Sequence, residues 1–373
     1  MSDIAPPELL LAGSTISSTA SARLRIDGRD FVSFFGSGYL ALSGVPEIRR
    51  AVLQALERGA PFCQQVPAAV LGGADPLFDD VEEAGALACG TEHSLYFACG
   101  SLLGAVAVAS ADPHFDLVLL DEHAHFNLCD AARLSGRPVL IYSHCDADAL
   151  HDTLKHAPRG SQRPLVMTDG VFATTGRIPP LAAYAAILAP YGGQLLVDES
   201  HAFGVVGPQG RGAAEHCGVS EVAITGTTLS KAMCAHGALM GCSAPIAARV
   251  RVVPPLRGSN AGSPLSAAAA AACLRYVARR PQLRQRLAEL TRYLRARLRD
   301  IGLDIAESPA PIVAFRIGSR ADMLALQKRL FTQGFFIHYS TYLGSGSDGT
   351  LRCAVFRDHS RSDIDAFVDA LGR

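Results

Sequence analysis

Short apolar segments alternate with helix-like segments between about residues 45 and 245, and this alternation constrains the fold most strongly. The apolar segments are continuous, which is typical of strands buried on both faces of a parallel sheet. We predict strands over residues 94–97, 117–120, 139–142, 164–168 and 194–197 and from residue 224, with helices over 46–58, 76–88, 102–109, 126–134, 147–155 and 181–189. This pattern predicts an α/β fold whose ligand sites lie at the carboxyl ends of the strands.

The chain after about residue 245 has a different pattern. The predicted elements are helices over 281–301, 321–333 and 362–371 and strands over 312–317, 336–339 and 351–355, joined by short N-terminal strands over 23–26 and 31–34. Strands and helices in this order are typical of an α+β unit. We therefore predict a large domain over residues 45–245 and a smaller α+β domain over 1–44 and 246–373.

Composition excludes several classes of partner. The chain carries 34 Lys and Arg residues against 35 Asp and Glu, so it has no basic surface for nucleic acid or anionic membrane. No apolar stretch is long enough to span a bilayer, and the N-terminus lacks the pattern of a signal peptide. The ten cysteines form no C-x-x-C pair, which indicates reduced thiols in a cytoplasmic protein.

Lysine is scarce in this sequence, with only Lys155, Lys231 and Lys328. Lys155 and Lys328 lie in polar or amphipathic helical segments, as solvated helix residues do. Lys231 instead ends a Ser/Thr/Gly run that follows an apolar strand beginning at Ile224. Hydroxyl groups beside a lysine suit a phosphate bound next to an imine. Lys231 is therefore the lysine we expect to form an imine.

Two further strand ends carry candidate ligand-binding groups. Asp198 ends an apolar strand three residues before His201. A carboxylate there can hold the charge of a protonated pyridine nitrogen, or simply cap the following loop. A strand also turns into a helix at Gly100, where the amides of Ser101 and Leu102 could bind a phosphate. The alternative is an ordinary strand–helix turn.

The segment from Asp121 to His125 contains an H-x-H pair after a predicted strand. The pair could bind a metal, but spacing indicates no third ligand, so we predict no metal site. A flat imidazole at this strand end, from His125, would instead stack on an aromatic cofactor ring.

Together these elements meet the requirements of pyridoxal 5′-phosphate (PLP), which are an imine lysine, an acidic partner for the pyridine nitrogen and a phosphate-binding turn. The alternative without PLP is a doubly wound protein that binds a nucleotide or NAD. That alternative lacks its G-x-G-x-x-G motif after a first strand.

The sequence resembles the α-oxoamine synthases, PLP-dependent enzymes of aminotransferase class II. The motifs that carry the resemblance are Thr168-Asp-Gly-Val-Phe172, Gly176-Arg-Ile-Pro-Pro-Leu181, Val197-Asp-Glu-Ser-His-Ala-Phe-Gly204, Gly207-Pro-Gln-Gly-Arg-Gly212 and Thr228-Leu-Ser-Lys231. Weaker matches extend from Gly38 to His359, so the resemblance covers nearly the whole chain. It implies PLP fold type I, aspartate aminotransferase-like, with a mostly parallel seven-stranded sheet and a smaller α+β domain.

The resemblance also implies roles for individual residues around the cofactor. Lys231 matches the imine lysine, Asp198 the partner of the pyridine nitrogen, and His201 the residue that hydrogen-bonds the phenolic oxygen. His125 matches the histidine that stacks on the ring. The phosphate-binding positions are Gly100, Ser101, Leu102 and Thr228.

On the substrate side, Arg352 matches the arginine that binds the amino-acid carboxylate, and otherwise it would be read as a surface residue on an edge strand. The family forms homodimers with the active site at the interface. The segment over residues 259–263 would reach the partner's phosphate, although Ala261 replaces the usual hydroxyl residue.

The sequence departs from the family where substrates would bind. Ser37 stands in place of an asparagine and is expected to face the substrate. Ala173 replaces a serine that touches the cofactor, and Gly104 replaces an asparagine. Residues 67–78 lack the usual arginine and histidine near the acyl substrate. A substrate outside the familiar family reactions, within specialised biosynthesis, is therefore expected.

The resemblance implies a decarboxylative, Claisen-type condensation of an α-amino acid with an acyl thioester, carried on CoA or a carrier protein. The product would be an α-amino ketone, and Lys231 would remove the α-proton. Because substrate-facing residues differ, another PLP reaction on an amino acid remains open. These alternatives are transamination, racemisation, aldol cleavage and side-chain replacement.

Overall fold

The computed structural model describes residues 10–11, 13–17, 21–64, 73–158, 163–256 and 262–372. The strands are β1 (Arg23–Ile26), β2 (Arg29–Ser33), β3 (His93–Phe97), β4 (Leu117–Asp121), β5 (Val139–Tyr142), β6 (Pro164–Asp169), β7 (Gln194–Asp198), β8 (Ala223–Thr228), β9 (Ala238–Cys242), β10 (Ile312–Phe315), β11 (Phe335–Phe336), β12 (His338–Ser340) and β13 (Thr350–Ala354). The helices are α1 (Pro46–Glu57), α2 (Pro76–Cys89), α3 (Leu103–Ser110), α4 (Phe126–Leu134), α5 (Ala147–Lys155), α6 (Leu181–Leu188), α7 (Ala213–His216), α8 (Ala244–Val250), α9 (Pro264–Ala278), α10 (Gln282–Asp300), α11 (Arg320–Thr332) and α12 (Arg361–Leu371).

A seven-stranded sheet forms the centre of the fold, with strand order β3-β9-β8-β7-β6-β4-β5. The five strands from β8 to β5 run parallel, whereas β9 is antiparallel to both β8 and β3. The middle strands β4 and β6 are buried along their whole length, because helices cover both faces of the sheet. The predicted α/β fold with a mostly parallel seven-stranded sheet is confirmed. The strand β9 lies outside the elements that the sequence pattern predicts.

Two three-stranded sheets lie outside this central sheet. One has the order β1-β2-β11 and the other the order β10-β13-β12. The single strand predicted over residues 336–339 is wrong in one respect, because it is divided at Ile337 between the two sheets. Phe335 and Phe336 pair with β2, while His338 to Ser340 pair with β13. Ile337 itself is buried, so both sheets contribute to a shared core.

The alanine-rich helix α9 packs against α1 and α2. Its buried alanines include Ala267, Ala268, Ala270 and Ala271, whose small side chains let helices approach closely. The division into two domains at residues 45 and 245 stays a prediction. Among the helices within the described ranges, none is both long and apolar enough to cross a membrane.

Candidate active site

Polar residues end four neighbouring parallel strands of the central sheet. Asp121 ends β4, Asp169 ends β6, Asp198 ends β7 and Thr228 ends β8. Lys231 follows β8 by three residues. Because parallel strands end at one edge of the sheet, this edge gathers the carboxylates and the lysine.

Lys231 lies in a desolvated position facing this edge. Burial lowers the pKa of its ammonium group, and Arg352 adds to that shift, while the charges of Asp198 and Asp169 oppose it. The lysine is therefore more easily deprotonated than a solvated lysine, as a nucleophilic or basic amine needs to be.

Asp198 and Asp169 lie directly opposite each other in the β6–β7 ladder, and both are buried. Burial raises the pKa of Asp169 well above its usual value, and the Asp198 charge adds to this effect. Asp169 accepts the backbone N–H of His125 at 2.8 Å. Two adjacent buried carboxylates do not both ionise readily, and the raised pKa of Asp169 favours its protonated form.

Asp198 is held by two donors. The backbone N–H of Ser200 donates to its Oδ1 at 2.9 Å, and the Asn127 amide donates to its Oδ2 at 3.1 Å. Asn127 lies in the first turn of α4, and its position is coupled to Gly104 on α3. A Cβ atom at Gly104 would lie 2.4 Å from the Asn127 carbonyl oxygen, so only glycine permits this approach. The glycine at position 104, where the family has an asparagine, therefore makes room for Asn127. The side chain of Asn127, from another helix, hydrogen-bonds Asp198.

His201 is buried, and its Nδ1 lies 2.7 Å from the hydroxyl of Tyr39. Burial lowers the pKa of His201 well below its usual value, and the nearby Lys231 and Arg352 charges add to the shift. Burial also raises the pKa of Tyr39 to about 12, so its hydroxyl stays protonated. A neutral His201 that accepts the Tyr39 proton at Nδ1 carries its own proton on Nε2, which is then available as a donor.

His125 lies at the N-cap of α4, where its Nδ1 accepts the backbone N–H of Asn127 at 3.2 Å. Its ring centroid lies 6.4 Å from that of Tyr342. The ring is thus fixed at the edge that also carries Asp169 and Asp198, consistent with a ring-stacking position.

The turn after β3 lies against the end of β8. A Cβ atom at Gly100 would lie 2.8 Å from Cβ of Thr228, so the two predicted phosphate positions are in contact. The Thr228 hydroxyl is 2.9 Å from that of Ser230. The Leu102 amide, predicted to be free, donates to the Cys99 carbonyl at 3.2 Å, so Ser101 offers the candidate amide donor of this turn.

Arg352 lies on β13, the middle strand of its sheet, and is only 7% exposed. It is therefore not a surface residue on an edge strand. Its Nε donates to the Ala173 carbonyl at 2.7 Å, and another guanidinium N–H donates to the Gly36 carbonyl at 3.3 Å. These contacts fix the guanidinium in place while other N–H groups remain for a ligand.

A cavity of about 230 Å³ lies beside Arg352, and its lining includes the predicted residues Ser37 and His201. His338 and Tyr342 also line the cavity, and neither residue lies in a motif that indicates a site. His338 is the direct β-ladder partner of Arg352, and burial lowers its pKa to about 4, with a further contribution from Arg352.

The residues missed by sequence reasoning are Tyr39, Asn127, Asp169, His338 and Tyr342. Tyr39 and Asp169 lie inside or beside motifs that carry the family resemblance, which is a signal that could have identified them. Two predicted segments lie partly outside the described residues, namely 259–261 of the interface segment and 67–72 of the acyl-binding segment.

Known proteins resemble this chain over most of its length. Residues 88–371 match the aminotransferase class I and II family. A putative 8-amino-7-oxononanoate synthase of Trichormus variabilis is 33% identical, covering 86% of this chain and 84% of that protein. An 8-amino-7-oxononanoate synthase of Xylella fastidiosa is 32% identical, over 96% of this chain and 90% of that protein. The fold of a Sphingomonas wittichii serine palmitoyltransferase superposes with a TM-score of 0.88 at 24% identity, covering 97% of this chain and 91% of that one.

Proposed function

The chain belongs to the aminotransferase class I and II family, within the α-oxoamine synthases, and we propose that it is a PLP-dependent C-acyltransferase. In this proposal it condenses an α-amino acid with an acyl thioester. The products are an α-amino ketone, carbon dioxide and a free thiol. The observation that carries the proposal is the half-buried, desolvated Lys231 amine, which the charges of Asp198 and Asp169 influence from the neighbouring strand ends.

The residues at the sheet edge fit PLP. Lys231 would hold the aldehyde carbon through a carbon–nitrogen bond, and Asp198 the pyridine nitrogen. The closely packed pair Gly100 and Thr228, with Ser101, would hold the phosphate. When bound, PLP stabilises negative charge at the amino-acid α-carbon, which allows carbon–carbon bond formation with an acyl carbonyl.

The protonation states of the protein groups suit these contacts. The raised pKa of Asp169 favours its protonated form, and the Asp198 carboxylate would face the pyridine nitrogen. His201, which is held by Tyr39 through Nδ1, would hydrogen-bond the phenolic oxygen through Nε2. The His125 ring, held at the N-cap of α4, would stack on the cofactor ring.

Arg352 binds the amino-acid carboxylate, because a guanidinium can pair with both carboxylate oxygens. The Ala173 and Gly36 carbonyls orient it toward the cavity. The amine of Lys231, deprotonated more readily than a solvated lysine, accepts the proton from the α-carbon. Ser37 and His338 line the cavity and would face the substrate.

The assembly in this proposal is a homodimer with the active site at the interface. Exposed apolar side chains on α1 and the segment after it support a subunit contact, since Leu53 is 58% exposed and Phe62 77% exposed. All ten cysteines are free thiols, which supports a cytoplasmic location. Light scattering of the purified protein tests the dimer.

The test of the function uses the wild type and Lys231→Ala, with Lys155→Ala as the matched control on an exposed helical lysine. Purified proteins are incubated with candidate amino acids, with and without acyl-CoA or acyl carrier protein. We expect the wild type and Lys155→Ala to be yellow and to release thiol and carbon dioxide in equal amounts. Lys231→Ala should do neither.

The mass of the product decides between the proposed reaction and other PLP reactions. A new amino acid or keto acid formed without any thioester would reject the condensation while leaving the cofactor assignment intact. A colourless wild type that binds no PLP would reject the cofactor as well.

A further inference from the structure

Two aromatic side chains meet where the cavity beside Arg352 opens to solvent, and the proposed function assigns no role to either. Phe126 is the first residue of α4, directly after His125. Tyr342 lies in the segment between β12 and β13 and lines the cavity. We define these two residues, Phe126 and Tyr342, as the aromatic pair.

The two rings of the aromatic pair are in contact with each other. Their centroids lie 5.6 Å apart and their planes meet at 89°, an edge-to-face arrangement that aromatic rings favour. The His125 ring lies beside both, with its centroid 6.2 Å from that of Phe126 and 6.4 Å from that of Tyr342. The pair therefore stands next to the position at which the cofactor ring would stack.

The aromatic pair leaves apolar surface uncovered. Phe126 is 55% exposed and Tyr342 is 37% exposed. One exposed apolar side chain is common, but two that meet from separate elements beside a substrate cavity indicate a binding surface. Burial raises the pKa of Tyr342, and the Asp169 charge adds to this shift, so the pair carries no charge at neutral pH.

The cavity itself is too small for both substrates. Its volume of about 230 Å³ lies below the range of about 300–1,000 Å³ that is usual for pockets of drug-sized ligands. An amino acid with its carboxylate on Arg352 would occupy this space, with its α-carbon near the cofactor ring. An acyl group that reaches the α-carbon would therefore extend past the cavity on the side of His125, where the aromatic pair lies.

Charge in the cavity indicates which kind of acyl group fits. Among the described residues that line the cavity, only Arg352 carries a charge at neutral pH. His201 and His338 are neutral there, because burial lowers the pKa of both. Since Arg352 pairs with the amino-acid carboxylate in the proposed reaction, this lining leaves no cation for an acyl chain that ends in a carboxylate.

We propose that the aromatic pair binds the acyl group of the thioester and selects an apolar chain over one that ends in a carboxylate. This inference rests on the proposed function and names the acyl class that it would use. Phe126 and Tyr342 are then specificity-determining residues. Each methylene that packs against their rings leaves water, so affinity rises with chain length. A terminal carboxylate would lose water without gaining a cation.

Binding of unreactive analogues tests the aromatic pair without turnover. The probes are thioethers of pantetheine, the arm that CoA and acyl carrier proteins share, bearing an S-ethyl, an S-octyl or an S-(7-carboxyheptyl) group. Calorimetric titration into the PLP-loaded protein gives the Kd of each. We expect the S-octyl probe to bind at least about 30-fold more tightly than the S-ethyl probe, and more tightly than the carboxyl-ended probe of equal length.

Substitutions in the pair test which residues cause this preference. Phe126→Ala and Tyr342→Ala each remove a ring, and each should reduce the octyl-over-ethyl preference at least about fivefold. Tyr342→Phe keeps the ring and should retain the preference. The matched control is Leu134→Ala at the other end of α4, which removes an 82% exposed apolar side chain and should bind all probes as the wild type does. Circular dichroism and cofactor absorbance show whether the variants are folded.

Equal affinity of the wild type for the S-ethyl and S-octyl probes would overturn the proposal, as would an unchanged preference in both alanine variants. Tighter binding of the carboxyl-ended probe, or an equal loss in Leu134→Ala, would overturn it too. Assays with the corresponding acyl thioesters separate this proposal from the proposed function. Octyl-selective binding without any thioester-dependent product would reject the function alone, whereas condensation that ignores chain length would reject the acyl site alone.

Discussion

The Tyr39 hydroxyl lies 2.7 Å from Nδ1 of His201, and this contact joins the segment before α1 to the loop after β7. Both residues are buried, and they are 162 positions apart in the sequence. The contact holds the His201 ring through its Nδ1 and leaves Nε2 for another partner. The geometry of the candidate cofactor site thus depends on a residue outside the central sheet.

Removing this contact should be measurable in both stability and cofactor binding. In Tyr39→Phe the buried His201 Nδ1 loses its partner, which costs about 1–3 kcal/mol in the free energy of unfolding. Urea denaturation measures the loss, and the absorbance of bound PLP should shift because His201 is no longer held. Tyr191→Phe, at a half-buried tyrosine far along the chain, is the control and should change stability by less than about 0.5 kcal/mol. Equal effects in the two variants would contradict the assigned role of Tyr39.

Gly100→Ala tests the phosphate turn. The added Cβ would lie 2.8 Å from Cβ of Thr228, and relief of such a clash costs about 1–3 kcal/mol. We expect PLP to bind about 10–100-fold more weakly, since each 1.4 kcal/mol is a factor of ten. Equilibrium dialysis of the apoprotein with PLP gives the affinity.

Gly44→Ala is the matched control for this substitution, because a Cβ at Gly44 meets no atom within 4 Å. Its PLP affinity should equal that of the wild type. If Gly100→Ala also binds PLP normally, the phosphate lies elsewhere.

Arg352→Lys separates amino-acid binding from thioester binding. Lysine keeps the positive charge but cannot form the paired contact with a carboxylate, nor can it hold both Ala173 and Gly36. A lost charged hydrogen bond is worth about 1.5–3 kcal/mol, so KM for the amino acid should rise about 10–100-fold. KM for the acyl thioester should change little.

Arg316→Lys provides the comparison for Arg352, because Arg316 forms an exposed ion pair with Asp348. Its kinetics should match the wild type. A rise in thioester KM alone in Arg352→Lys would reassign this arginine to the acyl substrate.

His359 should make the protein sensitive to acid. It is 2% exposed, its Nδ1 accepts the Phe356 N–H at 3.0 Å, and its Nε2 donates to the Ser33 carbonyl at 3.0 Å. Burial lowers its pKa to about 4, whereas an unfolded histidine titrates near about 6.5. The unfolded chain therefore binds more protons between these values, and stability falls as pH drops from about 6.5 toward about 4.

The expected contribution of His359 is up to about 3 kcal/mol over this range, at about 1.4 kcal/mol per pH unit. Urea midpoints of the wild type and His359→Asn, measured from pH 7 to 4, test it. The difference between the two proteins should narrow as pH falls, because the variant has already lost the neutral imidazole. Parallel curves would show that His359 does not titrate in this way.

The sequence by itself predicted the alternating strands and helices, the imine role of Lys231, and the roles of Asp198 and His201 at and just after a strand end. These features are local, because strand burial, a motif and the residue that follows a strand are all written in consecutive positions. Six strands of the central sheet rest on this kind of signal, whereas the number seven came from the family resemblance and β9 was not predicted from the pattern. Even here, tertiary pairing divided one predicted strand at Ile337, since its two halves hydrogen-bond to different sheets.

Only the tertiary structure decided which distant residues meet. The loop after β5 brings His144 beside His123, with ring centroids 4.4 Å apart, although the two residues are far apart in the pattern of strands and helices. In the same way, α4 places Asn127 against Asp198. Such contacts follow from strand order and helix packing, which join residues far apart in the chain, so no local pattern contains them.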